Sequence, residues 1–89
     1  MTRVEFVEAA LTFCELTGGS VTSWKRTIVH NKVVGGVPNS AHLYGLGLDV
    51  VYDTAQPLTA TMERAYRLGL KVIREADHDH LQPSTWSPG

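Results

Sequence analysis

The chain is short, moderately hydrophobic and nearly neutral, and these properties exclude several classes of protein. Its 89 residues suffice for one small domain, and a hydrophobic fraction of 43% supplies a core, which argues against disorder. The net charge of −1 comes without a basic patch or arm, so nucleic acid is not expected as a partner. Cys14 is the one cysteine, which excludes an intrachain disulfide and any zinc site built on paired cysteines.

The N-terminal segment predicts a helix and not a targeting signal. Thr2 and Glu5 form a capping-box pattern, and the glycines that follow Thr17 end the helix. Acidic residues interrupt the apolar ones, and no apolar run approaches the roughly 20 residues of a membrane span. We therefore expect a monomer that is made in the cytoplasm without a signal peptide and has no membrane partner. The predicted apolar face of this helix contains Val4, Phe6, Val7, Ala10, Leu11, Phe13 and Cys14.

The middle of the chain alternates between extended and helical patterns. A strand or extended segment is predicted over 20–26, and a short helix over 27–36, where His30 is expected on the surface. The sequence VPNS at 37–40 is typical of a turn. A mostly buried strand follows over 46–52.

The last third of the chain predicts a helix and then extended structure. The helix begins at Pro57 and ends at Gly69, with an apolar stripe of Leu58, Met62, Ala65 and Tyr66. The sequences LKVIREA and DHDHLQ predict a pair of strands, or one strand with an irregular middle. The order α-β-α-β-α-β-β favours a small α+β domain with an antiparallel sheet and helices packed on one side.

Two segments contain polar side chains that suit a metal site. Asp49 lies in an apolar strand, where a buried carboxylate needs a cation, a salt bridge or several hydrogen bonds. His42 precedes a tight turn that can bring it back beside Asp49. If 78–82 is extended, His78, His80 and Gln82 share one face of the strand. On the opposite face the same alternation places Asp77, Asp79 and Leu81.

Two histidines and one carboxylate leave a coordination position open, which is the pattern of a catalytic zinc. A hydrolase also needs a base for the attacking water and a donor for the oxyanion, and Glu75, Asp77 and His78 compete for these roles. The same ligand types describe the iron site of 2-His-1-carboxylate oxygenases, for which this chain is small and too helical. A third hypothesis is an α+β domain without metal. The position of Asp49 in an apolar run argues against it.

The residues quoted so far resemble the M15 metallopeptidases. SAHLYGLGLDV at 40–50 is similar to the family signature SxHxxGxAxD, and EADHDHLQ at 75–82 is similar to the second signature, which contains HxH. The segment before Ser40 also resembles the family's approach to its first signature, so the likeness covers about 22–82. The family includes zinc D-Ala-D-Ala carboxypeptidases, D-Ala-D-Ala dipeptidases and L-alanyl-D-glutamate endolysins. The resemblance implies one M15-like domain over 1–89, with a fold like that of the D-Ala-D-Ala peptidases and the hedgehog domains.

Carried over residue by residue, the resemblance implies a zinc ion bound by His42, Asp49 and His80. It also implies that Arg26 and Ser40 bind the substrate, with Arg26 on a carboxylate or carbonyl group.

The general base is less certain from the resemblance, because many family members have a glutamate three residues before the last histidine. Asp77 occupies that position here, and Glu75 lies five residues before the histidine. His78 matches the histidine that orients or polarises the reacting group. Two further departures are Gly47, where alanine is usual, and Leu46, where arginine is common.

The expected function is zinc-dependent hydrolysis of a peptide bond next to a D-amino acid in bacterial peptidoglycan, by a carboxypeptidase or an endolysin. The place of action would be the cell wall, and a phage lysis or virion protein would fit a chain without a signal peptide. The alternative is a non-catalytic module whose zinc site is structural or vestigial, as in the related hedgehog domains, and which binds wall peptide or another protein.

Overall fold

The computed structural model describes residues 1–36 and 40–86, so most of the predicted VPNS turn and the end of the C-terminal loop lie outside the described residues. No helix in the described part of the chain is long and apolar enough to cross a membrane. The elements, in chain order, are α1 (Arg3–Thr17), β1 (Gly19–Ser23), α2 (Ile28–Val33), a 3-10 helix named η1 (Ala41–Tyr44), β2 (Leu48–Tyr52), α3 (Leu58–Arg67), β3 (Leu70–Arg74) and β4 (Asp79–Pro83).

Helix α1 begins and ends where its capping residues predict. The backbone N–H of Glu5 donates to the Thr2 hydroxyl at 3.1 Å, and the N–H of Thr2 donates to the Glu5 carboxylate at 2.8 Å. These two bonds satisfy donors that have no partner within the helix. At the other end Gly18 has φ 70°, a left-handed conformation that glycine adopts without strain. The predicted capping box is confirmed.

The four strands form one antiparallel sheet in the order β1-β2-β4-β3. Strands β3 and β4 are a hairpin in which Arg74 pairs with Asp79, so the prediction of two strands is confirmed over that of one irregular strand. The backbone N–H of Glu75 donates to the carbonyl of His78 at 2.9 Å and closes the turn between them. In the centre of the sheet Asp49 pairs directly with His80.

Helices α1 and α3 pack against one face of this sheet, which confirms the predicted α+β architecture. The buried core between them contains Phe6, Ala10, Phe13, Cys14, Leu48, Val50, Ala65, Leu70, Val72 and Leu81. Because side chains alternate along a strand, the residues between these core positions point to the other face. Asp49 and His80 lie on that other face, and the connection that contains α2 and η1 runs there.

The predicted apolar face of α1 is partly wrong. Val4 is 68% exposed and Leu11 is 49% exposed, whereas Phe6 and Phe13 are fully buried. Apolar residues occur nearly all round this helix, so their spacing does not select one face. The two phenylalanines bury the larger apolar area, and the helix packs with their side towards the sheet.

The predicted stripe of α3 is also largely wrong. Leu58, Met62 and Tyr66 are exposed, and the side chains that face the sheet are Thr61 and Ala65. Small side chains allow the helix to lie close to the strands. The hydroxyl of Thr61 donates to the carbonyl of Pro57 at 2.7 Å, so its burial leaves no polar group unsatisfied.

Candidate metal centre

Three side chains meet on the face of the sheet that is turned away from α1. Asp49 of β2 and His80 of β4 are cross-strand partners, and His42 reaches them from η1. The Nε2 atom of His42 lies 3.0 Å from Oδ1 of Asp49 and 3.2 Å from Nδ1 of His80. The third side of this triangle, from Nδ1 of His80 to Oδ1 of Asp49, measures 3.4 Å.

Residues close to His42 in the sequence, within the first signature, hold it in position. The hydroxyl of Ser40 caps η1 and accepts from the backbone N–H of His42 at 3.3 Å. Gly45 ends the 3-10 helix with φ 70°, which turns the chain back towards β2. Gly47 lies so close to both histidines that a Cβ atom there would stand 2.9 Å from the backbone nitrogen of His42 and 3.1 Å from Cε1 of His80.

Carbonyl groups fix the protonation of both rings. The Nδ1 atom of His42 lies 2.6 Å from the backbone carbonyl oxygen of Trp24. The Nε2 atom of His80 lies 2.9 Å from the side-chain carbonyl oxygen of Gln82. A carbonyl oxygen only accepts, so these outer ring nitrogens carry the N–H groups. When the two imidazoles are neutral, their inner nitrogens therefore carry lone pairs.

The centre thus brings three acceptors together: two imidazole lone pairs and one carboxylate oxygen, 3.0–3.4 Å apart. Such an arrangement needs a positive charge, from a metal ion or from a proton on one ring. Ligands about 2.0–2.1 Å from a tetrahedral zinc are about 3.3 Å from each other, which matches the observed separations. Orientation of each metal-binding imidazole through its other N–H is also typical of zinc sites. His42, Asp49 and His80 fit a zinc ion with one position left open.

Asp49 is held in its charged form. Burial opposes its ionisation, but when the inner ring nitrogens are protonated, hydrogen bonds from His42 and His80 outweigh burial and hold the pKa of this carboxyl well below its usual range. The Nη2 group of Arg26 donates to the second carboxylate oxygen at 3.1 Å. One oxygen of Asp49 therefore faces the histidines, while the other is fixed by an arginine.

Arg26 and Ser40, the two predicted substrate-binding residues, both have partners within the protein. Besides Asp49, the guanidinium of Arg26 contacts the side-chain oxygen of Asn31 at 3.3 Å, and its backbone N–H donates to the carbonyl of His42 at 3.0 Å. Ser40 caps η1. Both residues also line the cleft in front of the metal centre, which has a volume of about 690 Å³. Their contact with substrate stays a prediction.

The turn between β3 and β4 brings further candidate groups to this cleft. Glu75 and His78 line it together with the three candidate ligands. His78 precedes β4, yet its Nε2 atom lies 3.6 Å from Oδ1 of Asp49. Asp77 is 87% exposed and lines a groove on the other side of the turn, and its carboxylate accepts from Nδ1 of His78 at 2.6 Å.

The alternation predicted for the second signature is confirmed within β4. His80 and Gln82 share one face and contact each other, whereas Asp79 and Leu81 are buried on the face towards the helices. His30 is exposed on α2, as expected.

Sequence analysis missed the groups that orient the metal ligands. The carbonyl of Trp24 has no signal in the sequence, because every residue offers the same backbone oxygen. The indole of Trp24 donates to the carbonyl of Gly45 at 3.0 Å and so braces the end of η1. For Gln82 a signal existed, since it lies on the same strand face as His80.

A two-histidine and one-carboxylate centre with an open position is typical of a catalytic zinc site. The family model Peptidase M15 matches residues 9–82, which is most of the chain. The chain therefore belongs to the M15 peptidase family, whose members are metallopeptidases that usually depend on zinc. A search of curated proteins and a search of solved structures gave no match.

Proposed function

We propose that this peptidase depends on zinc and hydrolyses a peptide bond next to a D-amino acid in bacterial peptidoglycan, acting as a monomer at the cell wall. The observation that carries the proposal is the meeting of His42, Asp49 and His80 with their acceptor atoms 3.0–3.4 Å apart, in a chain of the M15 family. Both signatures of that family converge on this one point.

His42, Asp49 and His80 would hold the ion. When bound, zinc supplies a Lewis acid and lowers the pKa of water to about 7, so that hydroxide forms at neutral pH. Trp24 and Gln82 keep the two imidazoles turned inward through their outer N–H groups. These contacts support a site that is built before the ion arrives.

Glu75 is the better candidate for the general base. Its side chain lines the same cleft as the three ligands, and glutamate has the longer reach. The carboxylate of Asp77 is engaged with His78 and stands largely in solvent. In this proposal Glu75 takes a proton from the attacking water and delivers it to the nitrogen of the departing amine.

His78 would act on the oxygen of the scissile carbonyl. Asp77 accepts from its Nδ1 and leaves Nε2 directed at the cleft. In the imidazolium form, Nε2–H can donate to the oxyanion that develops during attack. Both Nη groups of Arg26 have N–H donors that Asp49 and Asn31 do not use, and these can bind a carboxylate or carbonyl group of the peptide.

The test is the metal content of the purified protein by elemental analysis, paired with mass spectrometry of digested peptidoglycan. We expect about one zinc per chain and new fragments that end at a D-amino acid. His30→Ala is the matched control, because this histidine lies outside the cleft. One zinc without cleavage of several wall chemotypes would favour the non-catalytic binding module. Absence of zinc after reloading would contradict the proposal.

A further inference from the structure

A second buried carboxylate lies behind the metal centre, on the face of the sheet towards the helices. Asp79 is 1% exposed, and three donors fill its two oxygens. Arg74 donates from Nε to Oδ1 at 2.9 Å and from Nη2 to Oδ2 at 3.0 Å, and the hydroxyl of Tyr52 donates to Oδ2 at 2.7 Å. We call Tyr52, Arg74 and Asp79 the Asp79 cluster. The chemistry proposed above does not use it.

The residues around Asp79 repeat with the period of a strand. The sequence from Asp77 to His80 reads Asp-His-Asp-His. A shift of β4 by two residues would keep every side chain on its present face, because strands alternate with a period of two. It would also put His78 opposite Asp49, in the place of His80. His78 already lies 3.6 Å from that carboxylate, so alternation alone does not decide which histidine becomes the ligand.

The charge of Asp79 distinguishes the two registers. In the observed register Asp79 is the cross-strand partner of Arg74. A shift by two residues would move it to the position of Leu81, which is 0% exposed and pairs with Leu48 and Val72 in the core. A carboxylate at that position would lose its ion pair and be buried among apolar side chains.

We propose that Asp79 is a positioning residue which, held by Arg74 and Tyr52, fixes the register of β4 so that His80 and not His78 becomes the metal ligand. Fixing a register is the best-supported role of buried ionic groups in other proteins. The inference rests on the proposed function for the identity of the site, while the register itself can be observed without metal.

The turn is a second feature that opposes the shift. Arg74 and Asp79 flank the turn from Glu75 to His78, and pairing Arg74 with Asp77 would shorten it to Glu75 and Ala76. Two-residue hairpins favour glycine or asparagine, which are absent from this pair. The experiment must therefore separate the charge of Asp79 from the preference of the turn.

Asp79→Leu removes the charge that opposes the shift and leaves only the preference of the turn. A leucine can enter the position of Leu81, while Asp77 becomes available to pair with Arg74. Asp79→Asn is the matched control, because an amide keeps the shape of the carboxylate and one of its two acceptor oxygens, and stays too polar for the core. Cross-strand NOEs between backbone protons report the register directly. We expect Asp49–His80 NOEs alone in the parent and in Asp79→Asn, and additional Asp49–His78 NOEs in Asp79→Leu.

Zinc affinity, measured by competition with a chromophoric chelator, gives an independent readout. In the parent chain we expect His80→Ala to lower the affinity by at least about 100-fold and His78→Ala by less than about 3-fold. In the Asp79→Leu background the two losses should come within about tenfold of each other, because either histidine can then serve. A merely structural role of Asp79 would weaken binding without changing which histidine matters.

The outcomes separate this inference from the proposed function. If the parent binds no zinc but the NOEs shift as expected, the proposed function fails and the register inference stands. If Asp79→Leu keeps only the Asp49–His80 NOEs and the same dependence on His80, the turn alone sets the register and the inference is overturned. Should Asp79→Leu not fold, the triple variant Arg74→Leu/Asp77→Leu/Asp79→Leu removes the unpaired guanidinium and places an apolar residue at the buried position in either register, so the absence of Asp49–His78 NOEs there is equally decisive.

Discussion

Each face of the sheet buries one aspartate, and the two aspartates lie on neighbouring strands. Their carboxylates differ in their hydrogen-bond partners. On the face towards the helices, Asp79 receives three donors, and both of its oxygens have partners. On the opposite face, Asp49 receives Arg26 on one oxygen, while its other oxygen faces ring nitrogens whose outer N–H groups are engaged elsewhere. The Asp79 cluster is complete as it stands, whereas the metal centre requires a positive charge that the neutral rings do not provide.

This difference shows why burial of a charged residue does not by itself reveal its role. Asp49 and Asp79 are both buried, and both have a pKa held below the usual value. The distinguishing quantity is the balance of donors and acceptors around each carboxylate. A saturated carboxylate supports the fold, and a carboxylate that faces further acceptors is a candidate for binding a cation.

The largest expected effect is the loss of zinc on substitution of His80. His80→Ala removes one of three ligands, so we expect the loss of both stoichiometric zinc and hydrolysis, measured by elemental analysis and a peptide-cleavage assay. The stability of the metal-free protein should be unchanged or higher, because a pair of facing acceptors is removed. A marked fall in the midpoint of denaturant unfolding without metal would show that His80 is a structural residue and that the contrast between the faces is wrong.

The next largest effect concerns turnover at constant zinc. Glu75→Gln should keep one zinc per chain and lower kcat by about 10²–10⁴-fold, the usual contribution of a general base. Asp77→Asn is the comparison variant, because Asp77 is the rival base; we expect a smaller fall in kcat from it, through the lost contact with His78. Equal zinc content with the larger loss in Asp77→Asn would reassign the base to Asp77.

A smaller effect is expected from the group that orients His80. Gln82→Leu removes the acceptor for the outer N–H of that ring and should weaken zinc binding by about 10–100-fold. Gln56→Leu, at a partly buried position in the loop before α3, is a control for a change of glutamine to leucine. An unchanged affinity, measured against a chelator, would mean that His80 does not need Gln82 to keep its inner nitrogen free.

Much of this arrangement could be predicted from local patterns in the sequence. The alternation of strands placed Asp49 in a buried strand, and put His80 and Asp79 on opposite faces of the next. The partners of Asp79 could not be predicted in the same way. Arg74 meets it through the register of the hairpin, and Tyr52 through the order of strands in the sheet. Both depend on tertiary packing and not on spacing along the chain.

The helices show the same limit of sequence-based prediction for the packing of apolar side chains. Caps at Thr2 and Gly18 involve neighbouring residues, and they were predicted correctly. The buried face of α1 depends on which side chains fill the space above the sheet, and Phe6 and Phe13 fill it in preference to Val4. Local chemistry sets where an element begins and ends, whereas its orientation is decided by the packing of the whole domain.

The smallest expected effect is a difference in the acid sensitivity of folding, and it concerns Asp79 on the face of the sheet towards the helices. Burial opposes the charge of Asp79, but hydrogen bonds from Arg74 and Tyr52 prevail and hold its pKa below the usual range of an aspartate. A carboxyl whose pKa is lower in the folded state contributes stability that is fully present above its unfolded pKa and is lost as the pH falls through its folded pKa. The free energy of unfolding of the metal-free protein should therefore fall as the pH is lowered below about 4.

Asp79→Asn should be less stable at neutral pH and should show a weaker fall, measured by urea unfolding across this range. The remaining fall in Asp79→Asn would come from Asp49 and Glu5, whose lowered pKa values act in the same direction. An identical pH dependence in the two chains would mean that the ion pair with Arg74 adds nothing to the charged form, and the register inference would lose its energetic basis.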